Sequence, residues 1–574
     1  MTPGPAGFVA ADTPTQTWDE VIANVLAALG QEFTVVPDRR GAPAGARRRT
    51  WLDTFDWRLY RAGLILEYAA AHRGGELRLT SAHPAALGPG PAAGTTAPPA
   101  VAGAIAQPVT GWQVSRPHLP RDLPDGPVTA RIAGLVAPRA LLPAVTVAST
   151  ATVSRLLNDD GKTVARLLIE RPVIATGQHA ALPSRLMITE VRGYPGQARR
   201  AARIVSGTAG VLPAAEPVFA DALRALGRRP GDYSNKVNAD ITADMPAAQA
   251  AAAILLRLLD TIEANLQGVL RDTDTEFLHD LRVSVRRTRS ALKLFGDVLT
   301  VPAGGKARST RLTSGDLARF VADFKWVGDL TTPTRDLDVQ LLEFEETARS
   351  LRAAKPDDLE PFRAYLEQRR IKEFRALSRG LRSARFTSLT RDWRVALTKV
   401  RDRNDNARTG APVRSRQSTG RAGETAGTLA AERTRRAFAK VVKRGAAITP
   451  ASPHESLHDL RKRCKELRYA LEFFAPLHDP AAYSKVVGDL KRLQDCLGLF
   501  QDSEVQIYEI RALAAAMLAA NEAPAVTLLA MGEVTAGLAA RQAAARADFE
   551  RRFAAFADPD GQRRMSVLLR GGAA

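Results

Sequence analysis

The sequence predicts a chain in two parts: an α+β segment up to about residue 228, then an all-α segment from about residue 245. Two observations set this division. Residues 279–295 and 458–474 align without a gap, each opening on His-Asp-Leu-Arg, and both are periodic as helices, so the C-terminal part carries an internal helical repeat. Before residue 230 the apolar residues come in short runs separated by Gly, Pro and Asp-Gly, the pattern of strands and turns. At 574 residues the chain has room for two cores.

In chain order, residues 1–16 read as a flexible tail and Thr17 to Leu29 as a short helix. Strands are expected at Phe33–Val36, Leu64–Leu66 and Glu76–Thr80, and the Pro/Ala/Gly-rich stretch at about 84–108 reads as a loop. Thr146–Leu157 and Lys162–Ile169 flank Asn158-Asp-Asp-Gly161, a strong hairpin signal. Ser184–Val191 reads as a further strand, and Gln197–Ala209 and Val218–Leu226 as helices. This makes an α+β domain at 17–228, a linker at 229–244 and a helical region at 245–565. Residues 401–428 are polar with little to bury and read as a disordered insertion.

The net charge of +20 leaves nucleic acid, anionic membrane and polyphosphate open as partners. Cys464 and Cys496 are the only cysteines and sit in helical patterns, which fits small core residues in a reducing compartment. Met-Thr-Pro-Gly-Pro-Ala-Gly shows no leader pattern and no 18-residue apolar run occurs, so a cytoplasmic location is expected, with no membrane partner.

The two repeat helices carry the functional signal. Spacings of 0, 3, 7 and 10 residues fall on one side of a helix. That stripe holds His279, Arg282, Arg286 and Arg289, extended by Lys293, in the first copy, and His458, Arg461, Lys465 and Arg468 in the second. The opposite side is apolar: Leu281, Val285, Leu292 and Phe295, then Leu460, Cys464, Leu467, Leu471 and Phe474. Thr273-Asp-Thr-Glu276 and Ser452-Pro-His-Glu455 read as capping boxes, the second with Pro453 at the first helical position. A basic stripe on one helix is ordinarily a solvated face. Two in the same register, with few acidic partners, point to an anionic ligand, because crowded like charge is costly. Two other helices repeat the basic spacing without histidine, at Lys372, Arg375, Arg379 and Arg382 and at Arg433, Arg436, Lys440 and Lys443. For these, a solvated face and a ligand face are equally open.

On these residues the C-terminal region resembles the CHAD family. Lys325-Trp-Val-Gly-Asp329 with Arg335-Asp336-Leu-Asp-Val339, and Lys491-Arg-Leu-Gln-Asp-Cys-Leu-Gly498 with Asp502-Ser-Glu-Val505, resemble the segments that follow the family's repeat helices. They also align with each other, Lys325 with Lys491 and Asp336 with Asp502. The resemblance implies a helical bundle of two pseudo-symmetric halves whose basic faces line a groove for inorganic polyphosphate. The expected contacts are His279, Arg282, Arg286, Arg289, Lys293, Lys325, Arg335, His458, Arg461, Lys465, Arg468, Lys491 and Arg492. The family also suggests association with polyphosphate granules.

Trp51-Leu-Asp-Thr-Phe-Asp-Trp-Arg-Leu-Tyr-Arg-Ala-Gly-Leu64 resembles a signature of the CYTH family, which implies an antiparallel β-barrel or triphosphate tunnel in the first domain. The Glu-x-Glu-x-Lys strand of active members is absent; the corresponding strand is Gln31-Glu-Phe-Thr-Val-Val-Pro-Asp38. Arg78, Arg155, Arg166, Glu190 and Arg192 read as remnants of a phosphate lining. Metal-assisted hydrolysis needs several carboxylates on one cation, so the domain is expected to be degenerate, with no catalytic residues, metal or cofactor. The alternatives are a metal-dependent inorganic triphosphatase with a CHAD accessory domain, and a nucleic-acid-binding protein. His454-Glu-Ser-Leu-His458 has the spacing of a zinc site, but a cationic stripe disfavours a dication and His454 has no counterpart in the first repeat.

Overall fold

The computed structural model describes residues 7–10, 17–38, 47–71, 74–81, 104–177, 179–214, 217–300, 312–402 and 424–571. They form two units, Met1–Ser234 and Asn235–Ala574.

The first unit runs β1 (Gly7–Ala10), α1 (Trp18–Gly30), β2 (Thr34–Pro37), β3 (Arg47–Thr54), α2 (Arg58–Arg61), β4 (Leu64–Ala71), β5 (Gly74–Ser81), β6 (Ile105–Val109), α3 (Pro127–Val136), β7 (Leu141–Leu157), β8 (Thr163–Ile174), β9 (Arg185–Glu190), α4 (Pro195–Gly207), β10 (Val211–Pro213) and α5 (Val218–Ala225). The strands make one antiparallel sheet in the order β10-β1-β9-β8-β7-β3-β4-β5-β6, with β2 also on β7. The hairpin read at Asn158–Gly161 joins its two longest strands, and Gly161 takes the left-handed backbone that the turn requires. The segment from Trp51 to Arg61 is the end of a strand, a tight turn and a short helix. Asp53 closes it, its carboxylate accepting from the backbone N–H of Thr54 (2.7 Å), Leu59 (3.0 Å) and Tyr60 (2.9 Å).

Two stretches differ from the sequence reading. Gly7–Ala10, expected as tail, is a strand because it bridges β9 and β10 and buries Phe8. Ile105–Val109, expected as loop, pairs with β5 despite Pro108; β6 ends the strand order, where a missing N–H is tolerated. The rest of the 84–108 stretch, up to residue 103, lies outside the described residues.

The second unit is helical: α6 (Ala247–Leu270), α7 (Thr275–Leu299), α8 (Ser314–Arg349), α9 (Glu360–Leu381), α10 (Ala384–Arg401), α11 (Ala426–Ala446), α12 (His454–Phe473), α13 (Pro480–Ala519), α14 (Ala525–Ala557) and α15 (Pro559–Gly571). Residues 403–423 of the expected insertion lie outside the described residues, and Ala426 already begins α11. The apolar stripes of the repeat helices are buried, from Leu281 and Val285 to Phe295 in α7 and from Leu460 and Cys464 to Leu471 in α12, with Phe474 buried just past its end. Burying a side chain of this size contributes ~1.5–3 kcal/mol, so these stripes fix how both helices roll. Close packing is visible at Gly268 of α6, where an added Cβ would collide with the Phe277 ring of α7. No described helix is long and apolar enough to cross a membrane.

Candidate functional site

The N-termini of the repeat helices match in register, though not by the boxes read from sequence. Asp274 caps α7, accepting from Glu276 N–H (2.9 Å) and Phe277 N–H (3.2 Å). Pro453 holds the cap position of α12, because the Ser452 hydroxyl is engaged by the Thr449 N–H (2.9 Å). Each cap lies five residues before its histidine, Asp274 before His279 and Pro453 before His458.

Toward their C-termini α7 and α12 meet through Phe295, whose ring centroid lies 5.7 Å from those of both Phe473 and Phe474. Beside that contact Arg287 of α7 donates to the Glu472 carboxylate of α12 through Nε (3.1 Å) and Nη2 (2.8 Å), both side chains nearly buried. A cleft of about 770 Å³ lies between the helices, with this ion pair in its lining. His279 and Arg286 line it from α7, and Arg461, Lys465 and Arg468 from α12. The basic ridges therefore share one trough.

In α7 the stripe divides, whereas in α12 Arg461, Lys465 and Arg468 all line the cleft. At ~100° per residue, positions 0 and +7 nearly coincide, while +3 and +10 are rotated by about 60–80°. In α7 the first pair, His279 and Arg286, faces the cleft. The second pair turns to α8: Arg282 Nη1 donates to Gly328 O (3.4 Å) and to the Thr332 hydroxyl, and the Arg289 guanidinium lies against Gly328. Arg282 also pairs with Asp336 at 3.9 Å, and in the second copy Arg461 pairs with the aligned Asp502 at 2.8 Å. At 3.9 Å burial outweighs attraction: Arg282 is lowered and Asp336 raised from their ordinary ranges, each toward its neutral form.

Arg286 and Lys465 occupy the same position of the two repeats and come together in the cleft. Neither forms an ion pair among the described residues. Burial, then Arg461 and Arg286, push the Lys465 ammonium down to about 8 from 10.5. His458 sits outside the cleft lining, and burial with Lys462 and Arg461 holds it below its ordinary value. Lys325 pairs with Asp329 (2.8 Å), and Arg335 reaches the Thr275 carbonyl (3.3 Å) and Glu276 (3.8 Å), so both belong to the α7–α8 side. Lys293 and Lys491 are exposed and line no part of the cleft. Arg492 also lies outside the lining; it pairs with Asp489, which also takes Arg564 of α15. The further basic helices split as well: Arg433 pairs with Asp297 and Arg436 with Glu432.

Several lining residues were not read from the sequence. Arg287 lies a further 100° around α7 and falls off the stripe, although the Arg286-Arg287 tandem signalled it. The segment Asn235–Asn238, counted as linker, forms one lip. It is fastened by Asn235 donating to Asp280 (2.8 Å) and by Arg287 donating to the Asn235 carbonyl (2.8 Å). Tyr469 lines the cleft with Tyr483 and Gln494 of α13. Tyr469 stacks on Phe473 and Tyr483 on His478.

In the first unit the register puts Arg47, Arg49, Glu67, Arg78 and Glu170 on one face of the sheet. Arg49 pairs with Glu170, Arg78 with Glu76 and Arg166 with Asp38. Burial raises Glu67 above the usual carboxylate range, against the pull of Arg49, Arg78 and Arg47. Nowhere among the described residues do three His, Cys, Asp or Glu side chains converge as metal ligands. His454 of the zinc-like spacing instead contacts Glu504 at 2.9 Å.

Comparison with known proteins bears directly on the helical unit. Residues 253–511 match the model of the CHAD domain. Residues 253–511 of this chain are a CHAD domain. Among solved structures the chain is similar to the CHAD domain from the plant Ricinus communis, with 25% identity over 56% of this chain and 96% of that one and a TM-score of 0.44. It is also similar to PptA from Streptomyces chartreusis, with 17% identity over 54% of this chain and 99% of that one and a TM-score of 0.37. No curated protein matches the sequence. The CHAD match begins within α6 and ends within α13, so it takes in both repeat helices.

Proposed function

We propose that the CHAD domain binds inorganic polyphosphate in the cleft between α7 and α12. The observation that carries this reading is the approach of Arg286 and Lys465 without a carboxylate paired to either, at a cost visible in the depressed Lys465 ammonium. Like charges held together in a half-buried cleft are relieved by an anion with repeated oxygens. Arg286, Arg461 and Arg468 present guanidinium forks to such an anion, Lys465 a point charge, and His279 a ring N–H. Arg282, Arg289, Lys325 and Arg335 supply a more distant positive field along α7 and α8. The setting this implies is the cytoplasm, on polyphosphate granules.

Single-stranded nucleic acid is the rival reading, since tyrosines do line the cleft. Base stacking needs an exposed ring face, and Tyr469 is only 7% exposed while Tyr483 is part-buried. A triphosphatase in the first unit would be a separate activity, read out as phosphate release from tripolyphosphate with Mg²⁺ or Mn²⁺. The deciding experiment is binding of long-chain polyphosphate to the full chain across a salt series, with single-stranded RNA as competitor. A log–log slope on the order of −0.7 per contact is expected, with RNA displaced by polyphosphate. Salt-independent binding, or preferred retention of RNA, would overturn the proposal.

A further inference from the structure

Among the residues lining the cleft, Glu472 is the one acid, set among Lys236, Arg286, Arg287, Arg461, Lys465 and Arg468. Its carboxylate accepts twice from Arg287, at 3.1 and 2.8 Å, and once from Arg468 Nε, at 2.7 Å. Three charge-assisted N–H donors on one anion is how a phosphate group is held. The aligned position in the first repeat is Lys293, so the acid breaks the repeat where the cleft would otherwise gain another cation. Beside it, Gln494 accepts from Arg468 Nη1 (3.3 Å) through its amide oxygen, while its buried amide nitrogen has no acceptor. A buried donor left without a partner is costly and suits an incoming acceptor.

We infer that Glu472 is an internal counter-anion that occupies Arg287 and Arg468 in place of a phosphate group, and that a phosphate chain displaces it to reach these guanidinium groups and the Gln494 amide. The inference rests on the polyphosphate reading of the same cleft. Glu472 then sets affinity and selectivity. A single phosphate exchanges one anion for another and gains little, whereas a chain that also engages Arg286 and Lys465 gains contacts that no protein carboxylate supplies.

The test compares wild type and Glu472→Gln, full chain, with sodium polyphosphate of defined length over a salt series. Removing the competing charge is expected to tighten binding on the order of tenfold and to steepen the salt slope by about 0.7 for each guanidinium newly engaged. Equal or weaker binding with an unchanged slope would overturn the inference, since Glu472 would then merely orient the arginines. Glu472→Gln leaves Arg287 without its anion and risks misfolding, so a second comparison sets the Arg287→Gln/Glu472→Gln protein against Arg287→Gln. Tighter binding by the double variant supports displacement from Arg468; no difference refutes it. Wild-type protein that fails to bind polyphosphate in a salt-dependent way removes the underlying reading, a result distinct from tight wild-type binding weakened by Glu472→Gln.

Discussion

Replacing Lys465 by methionine separates what the cleft costs from what it does. The ammonium is held down to about 8 from 10.5 by burial and by Arg461 and Arg286. A cation whose folded pKa lies below its unfolded value binds fewer protons in the native state, so unfolding takes up protons between those values and stability rises with pH there. The penalty is present in full below about pH 8 and is relieved as pH climbs toward 10.5. At 1.36 kcal/mol per pKa unit the shift would be worth ~3.5 kcal/mol for an enclosed group; the side chain is partly open to solvent, which reduces it to ~1–2 kcal/mol. Methionine keeps the stem length and removes the charge. Lys465→Met is therefore expected to stabilise the helical unit by ~1–2 kcal/mol in urea unfolding at pH 7, with the gain shrinking toward pH 10. The same substitution is expected to weaken polyphosphate binding about tenfold and flatten the salt slope by about 0.7. Destabilisation by Lys465→Met, or unchanged polyphosphate affinity, would refute the claim that this residue is strained for the sake of an anion.

Three further outcomes follow from the same geometry. Affinity should fall as pH rises through about 8, where Lys465 discharges, and should increase below 6.5, because His458 is depressed by burial and neighbouring cations and a bound polyanion favours its protonated form; titration calorimetry in buffers of different ionisation enthalpy would show the proton uptake. Arg286→Glu with Lys465→Glu should abolish binding while each repeat helix keeps its apolar face, measured by polyphosphate pull-down and far-ultraviolet circular dichroism. In the first unit, Asp53→Ala removes the acceptor of three backbone N–H groups and should cost at least ~2 kcal/mol in denaturant unfolding, with no effect on polyphosphate affinity.

The repeat was legible because its physics is local. A helix's apolar and basic sides are written at fixed angular intervals, and Leu281, Val285, Leu460 and Cys464 are buried as that rule requires. Which basic residues share the cleft was not legible. A stripe is wide enough to straddle two neighbours, and only the roll of α7 against α8 sends Arg282 and Arg289 one way and His279 and Arg286 the other. Arg287, Glu472 and Asn235 escaped because their roles depend on contacts between residues up to 185 apart in sequence. The cap positions slipped by one residue since Asp274 competes for the N–H groups assigned to Thr273. In the sheet unit the hairpin stood out through Asn158–Gly161, whereas β1 and β6 are short strands defined by what they pair with.

The two copies differ where exact two-fold symmetry would overload the cleft with charge. Arg287 aligns with Glu466, and Lys293 with Glu472. Glu466 turns back to Arg463 on its own helix at 3.0 Å, while Glu472 crosses to Arg287. One level of the cleft thus keeps matched, unneutralised cations at Arg286 and Lys465, and the next carries a cross-helix ion pair whose side chains are only 13% and 14% exposed. Breaking such a pair by removing one partner costs ~3–5 kcal/mol, more than the ~1–2 kcal/mol strain at Lys465. Together with the Phe295 contacts, that lock holds the helices against the repulsion between their basic faces. The repeat thus places matching cations at Arg286 and Lys465, and the departure from it at Arg287 and Glu472 supplies a clamp between the two helices.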